Sequence, residues 1–142
     1  MNWPENFAVA PRPRLGGSVG QKAAFYTYFA ALNHEDFSAA AQFLHADVSF
    51  SVPNSQVGKG RDAVINFLKY TRTRFRIKEE VRRVIADDAA ICAEIACTLT
   101  AIEDALDMEG GLKKGGTQVM EFICVYELKD GLIYKMEATP RK

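Results

Sequence analysis

The end of the chain constrains the fold most, because apolar and polar residues alternate there on both sides of a turn. Successive side chains of a β-strand point to opposite faces of the sheet, so this period of two predicts two strands with one buried face each. The segment Lys129-Asp130-Gly131 supplies a turn between them and predicts a hairpin. The predicted buried faces carry Met120, Phe122, Cys124, Tyr126 and Leu128 on the first strand and Leu132, Tyr134, Met136 and Ala138 on the second.

Two earlier segments extend this sheet. Residues 81–86 read as one strand, and residues 90–102 read as a longer one whose odd positions are all apolar. On all these strands the carboxylates fall on the opposite face from the apolar residues, so we expect phenols and thiols to be the only polar groups that the sheet turns inward. The outward carboxylates are Glu94, Glu121, Glu127 and Glu137.

The first half of the chain reads as helix, helix, strand and helix. Residues 24–32 and 37–44 have apolar residues at helical spacing, and residues 48–52 alternate as a strand. After a loop that contains Pro53-Asn54 and two glycines, a third helix is expected to carry apolar residues from Val64 to Phe75 on one face. Residues 1–17, with three prolines, are read as an irregular arm that is either pinned to the body or disordered, and residues 18–142 as a single domain.

Composition excludes several classes of function. The 18 basic and 18 acidic residues cancel, so there is no general attraction to nucleic acid or to anionic lipid. No apolar run approaches the roughly 20 residues that span a bilayer, and the start of the chain lacks the apolar block of a signal peptide, so a cytoplasmic protein is expected. Neither the three cysteines nor the two histidines have metal-binding spacing, so we expect free thiols, no metal and no cofactor.

The order of elements resembles the nuclear transport factor 2-like superfamily, in its branch of SnoaL-like proteins and ketosteroid isomerase. Three local matches carry the resemblance, over residues 28–33 (YFAALN), residues 45–47 (HAD) and residues 60–64 (GRDAV). The resemblance implies an α+β fold in which three N-terminal helices pack on a curved, mostly antiparallel sheet shaped as a cone. It also implies a homodimer that forms through the convex face of the sheet.

Position by position, the resemblance to ketosteroid isomerase is incomplete. That enzyme uses an aspartate base with a tyrosine and a protonated aspartate as oxyanion donors. By resemblance Tyr28 stands at the tyrosine donor, but Val52 stands at the base, Cys124 at the protonated acid and Leu68 at a supporting tyrosine. Valine cannot accept a proton, so the isomerase reaction is not expected from those positions.

The predicted site is therefore an apolar cone that binds a small, largely apolar molecule, polycyclic or carbonyl-containing, with Tyr28 as its catalytic donor. The reaction would be an isomerisation, dehydration or cyclisation; the alternative is a binding or dimerisation module without catalysis. A basic run from Lys69 to Arg83 is read as a solvated face in preference to an anion site. The predicted ligand-binding residues are Phe50, Val52, Phe67, Cys97, Met120, Phe122, Cys124, Tyr126, Tyr134 and Met136.

Overall fold

The computed structural model describes residues 17–108 and 110–141. Within them three helices and six strands follow one another, and no helix is long and apolar enough to cross a membrane. The arm predicted over residues 1–17 lies outside the described residues except for Gly17, where the first helix begins. The helices are α1 (Gly17–Asn33), α2 (Phe37–Ala41) and α3 (Arg61–Arg74), and the strands are β1 (Leu44–Val52), β2 (Ser55–Lys59), β3 (Phe75–Ala86), β4 (Ala90–Ala101), β5 (Thr117–Lys129) and β6 (Leu132–Pro140).

The six strands form one curved sheet in the order β2-β1-β6-β5-β4-β3. The pair β1–β6 is parallel and the other pairs are antiparallel, which confirms the α+β fold expected from the order of elements. Strand β2 was not expected, since Pro53-Asn54 and Gly58 indicated a loop. Asn54 adopts a left-handed φ of 65° and turns the chain so tightly that residues 55–59 pair with β1.

The helices pack on the inner face of the sheet and bury the core. Helix α1 makes its most extensive contacts with β3, and α3 packs against β1. The ring of Phe25 on α1 meets the ring of Tyr126 on β5 edge to face, with centroids 4.7 Å apart. Phe25, Leu44, Val48 and Ile133 are fully buried.

Strand β3 begins earlier than the sequence pattern indicated. Helix α3 ends at Arg74 and Phe75 already has extended backbone, with φ −136° and ψ 148°, so the helix passes into the strand without a loop. Phe75 was predicted to lie on the helix; it instead pairs with Ala101 as the first residue of β3. The prediction was wrong there because an apolar residue at position 75 fits both the helical spacing and the strand alternation that follows.

Bulges shift the alternation in β3 and in β6. Arg82 is left unpaired between Val81 and Arg83, so the inner positions of β3 change from odd to even numbers. Tyr134 is left unpaired in the same way between Ile133 and Lys135. The predicted inner face of β6 was therefore wrong near its start: Ile133 is fully buried there, and Tyr134 is only partly buried.

We predict that Ile133→Ala lowers the free energy of unfolding by about 2–5 kcal/mol, because it empties space in a closely packed core. Tyr134→Ala should cost much less, since Tyr134 is not part of that core. Urea denaturation of both variants checks this pair. A larger loss for Tyr134→Ala than for Ile133→Ala would contradict the bulge.

Candidate functional site

A cavity of about 430 Å³ lies between the inner face of the sheet and helices α1 and α3. Its volume falls in the usual range of small-molecule sites. Apolar side chains form most of the wall, as the alternation of the late strands predicted. The wall reaches the protein surface where Tyr70 and Glu137, both exposed, line it.

Ten of the eleven residues that the sequence singled out line this cavity together. Tyr134 does not: its ring lies 5.2 Å from the ring of His45, and Lys129 Nζ lies 4.9 Å from its centroid. The bulge at Tyr134 accounts for this placement. The residues that line the cavity are Tyr28, Phe50, Val52, Phe67, Cys97, Met120, Phe122, Cys124, Tyr126 and Met136.

An ion pair that the sequence analysis missed also lines the cavity. Arg72 on α3 donates from Nη2 to Oε1 of Glu79 on β3 at 3.0 Å, and the Arg72 side chain is 4% exposed and that of Glu79 19%. The expectation that no carboxylate faces the interior was therefore wrong at Glu79. Glu137 also lines the mouth of the cavity, but it is exposed and pairs with Val125 of the outer face. The reading of Arg72 as part of a solvated face was also wrong.

The strand pattern contained the signal for Glu79. Phe75, Ile77, Glu79 and Val81 share one face of β3, because the period of two begins at Phe75. The predicted strand began at Val81, so Phe75, Ile77 and Glu79 were not recognised as part of this alternation. A carboxylate on the apolar face of a strand indicates a buried partner. Arg72, one turn after the buried Leu68 on α3, was the cation to examine.

Arg72 is held in place by its own helix. Its Nη1 donates to the carbonyl oxygen of Leu68 and to Oγ1 of Thr71, each at 3.3 Å. Its guanidinium carbon lies 6.0 Å from the ring centroid of Phe37 on α2, within the range of a cation–π contact. The guanidinium is thus fixed by α2 and α3 before it meets Glu79.

Burial dominates the electrostatics of the cavity. It raises the pKa of Glu79 above the ordinary value, although Arg72 opposes this shift by attraction and by its hydrogen bond. Burial also raises the pKa of Tyr28 and Tyr126, and it raises the pKa of Cys97 and Cys124 to about 12. The negative charge of Glu79 further raises the pKa of all four of these groups. The two tyrosines and the two cysteines therefore interact electrostatically with one carboxylate.

The hydroxyl of Tyr28 makes only a weak contact. It donates to Sδ of Met136 at 3.9 Å, and a thioether is a poor acceptor. The Tyr28 ring itself is firmly packed, with edge contacts to Phe29 and Phe43 at 5.2 and 5.8 Å. The ring is therefore rigid while the hydroxyl keeps its capacity to donate to a better acceptor.

The thiols and histidines do not form a metal site among the described residues. There, no group of three or more His, Cys, Asp or Glu side chains is placed to hold a metal ion. All three cysteines are free; Cys97 and Cys124 are buried and Cys92 is exposed. A thiol whose pKa is about 12 is protonated at neutral pH, so Cys97 and Cys124 act as small apolar groups.

The structure is an α+β protein with an apolar cavity between its sheet and helices α1 and α3. The model of the SnoaL-like domain family matches residues 25–136, so the chain belongs to this family within the nuclear transport factor 2-like superfamily. No curated protein matches the chain in sequence.

Solved structures share the fold at low sequence identity. A candidate polyketide cyclase from Xanthomonas campestris pv. campestris is 22% identical, with a TM-score of 0.71 over 84% of this chain and 88% of that one. A LEH-like epoxide hydrolase from M. tuberculosis is 19% identical, with a TM-score of 0.70 over 87% and 84%. TerC, co-crystallised with polyporic acid, is 16% identical, with a TM-score of 0.68 over 85% and 91%.

We predict that Arg72→Met lowers the free energy of unfolding by about 3 kcal/mol, because it leaves the buried Glu79 carboxylate without its partner. The double variant Arg72→Met/Glu79→Leu should regain most of this loss, since apolar side chains of similar size replace the pair. Urea denaturation of the single and double variants measures the coupling. Simple addition of the two single losses would show that the pair is not formed.

Proposed function

We propose that this protein binds a small, largely apolar molecule that carries a carbonyl group and that it catalyses proton transfer next to that group. Glu79 is the general base and Tyr28 the hydrogen-bond donor. The observation that carries the proposal is a carboxylate of raised pKa inside an apolar cavity that also contains a rigid tyrosine. Titratable groups with strongly perturbed pKa values in a cleft are typical of catalytic sites.

The proposed step moves one proton. Glu79 takes a proton from the carbon beside the ligand carbonyl, and the electron pair of that C–H bond moves onto the carbonyl oxygen. Tyr28 stabilises the resulting enolate by donating a hydrogen bond to this oxygen. Its raised pKa keeps the phenol protonated at neutral pH, so it acts as a donor and not as a base.

The fate of the proton decides the overall reaction. Glu79 completes an isomerisation when it returns the proton to a different carbon. It completes a dehydration when it gives the proton to a departing hydroxyl group, and a cyclisation follows when the enolate carbon attacks a second carbonyl of the ligand. None of these reactions requires an oxidant or a reductant.

Arg72 prepares Glu79 for this role. Its hydrogen bond to Oε1 orients the carboxylate, and we assign the proton transfer to the other oxygen, Oε2. Arg72 also offsets part of the effect of burial on the pKa of Glu79, so the carboxylate remains ionised at a lower pH than burial alone would allow. The pair adds no net charge, which suits a neutral ligand.

A binding module without catalysis is the second candidate. Val52 and Leu68 line the cavity at positions where the resemblance to ketosteroid isomerase implies polar groups, and this favours a loss of activity. The names of the structural relatives, which include a polyketide cyclase and an epoxide hydrolase, favour an enzyme in this fold. The test below separates the two candidates.

We predict that the protein accelerates the exchange of the α-hydrogens of 2-tetralone, a bicyclic ketone, in deuterated water. Glu79→Gln should slow this exchange by about 10²–10⁴-fold and Tyr28→Phe by about 10²–10³-fold. Proton NMR follows the loss of the α-hydrogen signals. The rate should rise with pH through the pKa of Glu79, which burial places above that of an exposed glutamate, because the base must be ionised.

Tyr26→Phe is the matched control, since it removes an exposed phenol from the same helix and should leave the rate unchanged. Binding of 2-tetralone without exchange would favour the module without catalysis. Exchange that persists in both Glu79→Gln and Tyr28→Phe would overturn the assignment of these residues.

We also propose that a second copy of the chain covers the outer face of the sheet. Ile85, Cys92 and Val125 pair across β3, β4 and β5 and form one row of exposed apolar and thiol side chains on the face opposite the cavity. Such a row is unfavourable in water and is typical of an interface. This proposal agrees with the homodimer implied by the family resemblance.

We predict that Ile85→Lys converts the protein to a monomer, because it introduces a charge into the proposed interface. Leu106→Lys is the matched control: Leu106 is 67% exposed and Ile85 68%, but Leu106 lies on the loop between β4 and β5. Sedimentation equilibrium gives the masses. A wild-type protein that is monomeric at high concentration would contradict this interface.

A further inference from the structure

The side chain of Asn33, the last residue of α1, is bonded on both of its polar atoms to the backbone of Glu79. Its Nδ2 donates to the carbonyl oxygen of Glu79 at 2.8 Å, and its Oδ1 accepts from the N–H of Glu79 at 2.8 Å. Both distances are at the short end of the normal range for such bonds. Forty-six residues separate the two positions in the sequence.

These two bonds act on an edge strand. Strand β3 is the last in the sheet and pairs only with β4. Because the N–H and C=O of Glu79 both point to Asn33, they point away from β4, as alternate residues of an antiparallel strand must. The side-chain amide of Asn33 thus makes the two hydrogen bonds that a neighbouring strand would otherwise make with the backbone of Glu79.

Glu79 is thereby held from two sides. Asn33 holds its backbone to the end of α1, and Arg72 holds its carboxylate to the last turn of α3. The direction of the side chain into the cavity follows from the backbone, since Cβ is fixed relative to N–H and C=O. Displacing the strand at this residue would move the carboxylate away from the other cavity groups.

Helix α1 also carries Tyr28, five residues before Asn33, or about 7.5 Å along the helix axis. The ring of Tyr28 is fully packed, so the helix and its tyrosine move as one body. Asn33 joins this body directly to the residue that supplies the carboxylate. Through Asn33, helix α1 therefore determines the position of the Tyr28 hydroxyl relative to the Glu79 carboxylate.

We propose that Asn33 is a positioning residue, which fixes the separation between the Tyr28 hydroxyl and the Glu79 carboxylate by holding the backbone of Glu79 to helix α1. Its role in turnover rests on the proposed function of these two groups. Asn33 touches neither the ligand nor the transferred proton. It acts entirely through Glu79.

If the hydrogen bonds between Asn33 and Glu79 served stability alone, their loss would have different measurable effects. Loss of purely structural bonds lowers stability but leaves the environment of the Glu79 carboxylate as it was. Loss of a positioning contact changes the pKa of Glu79 and uncouples Tyr28 from the reaction. These readouts are independent of the change in stability.

The test compares Asn33→Ala with the wild type by two measurements. The pKa of Glu79, followed by NMR of its ¹³C-labelled carboxyl group, should fall towards that of an exposed glutamate because the freed strand admits water. The turnover number for α-hydrogen exchange in 2-tetralone should fall about tenfold while KM changes less than twofold. Adding Tyr28→Phe to Asn33→Ala should then cost much less than Tyr28→Phe costs alone, because the donor and the base are no longer aligned.

His34→Ala is the matched control at the same helix end. The His34 ring lies 2.8 Å from the carbonyl oxygen of Ala30 on its own helix, so this variant disturbs the end of α1 without breaking the bonds to Glu79. It should leave both the pKa of Glu79 and the exchange rate unchanged. If Asn33→Ala does not fold, Asn33→Leu replaces it, since leucine has a similar size, loses both hydrogen bonds and adds no charge that would itself shift the pKa of Glu79.

An Asn33 variant that is less stable but keeps the wild-type pKa of Glu79 and the full effect of Tyr28→Phe would overturn the proposal. Failure of the proposed function gives a different result: the wild type would then not exchange the hydrogens of 2-tetralone at all. The pKa of Glu79 in the Asn33 variants decides the positioning role even in that case.

Discussion

The cavity is organised around one energetically costly arrangement, an arginine and a glutamate that form an ion pair among apolar side chains. Removing two charges from water costs several kcal/mol per ion, and a pair recovers this cost only when its geometry is good and its remaining hydrogen-bonding groups are satisfied. Here two helices orient Arg72, and Asn33 holds the strand that presents Glu79, but the buried Nε of Arg72 has no hydrogen-bond partner. An apolar pair of similar volume would fill this space at lower cost, so stability does not explain the ion pair.

The position of the carboxylate distinguishes this cavity from the arrangement implied by the resemblance to ketosteroid isomerase. There the acid and the base would stand at Cys124 and Val52, on β5 and β1. In this protein those positions are a protonated thiol and an alkyl group, and the carboxylate enters from β3 on the edge of the sheet. Tyr28 is shared by both arrangements. In the proposed function Tyr28 is the donor on α1, as the resemblance implies, while the carboxylate comes from a different strand.

Much of this could be predicted from the sequence, for a physical reason. The alternation in β4 and β5 is long and regular, so the inner face of these strands and most of the cavity wall follow from side-chain parity alone. The prediction of which side chains face inward failed where a bulge interrupts the alternation. The bulges at Arg82 and Tyr134 shift the alternation by one residue, and a bulge depends on how neighbouring strands fit and not on any single residue. The ion pair was missed because the junction of α3 and β3 contains neither glycine nor proline to mark the change of period.

That uninterrupted junction has a consequence for how such a cavity can change. Because α3 passes straight into β3, both charged partners come from a single run of eight residues, 72–79, which also supplies Arg74, Phe75 and Ile77 to the cavity wall. A transfer of this segment to another protein would therefore carry the ion pair together with the apolar side chains of Phe75 and Ile77, and it would also need Asn33 of α1 to hold the backbone of Glu79.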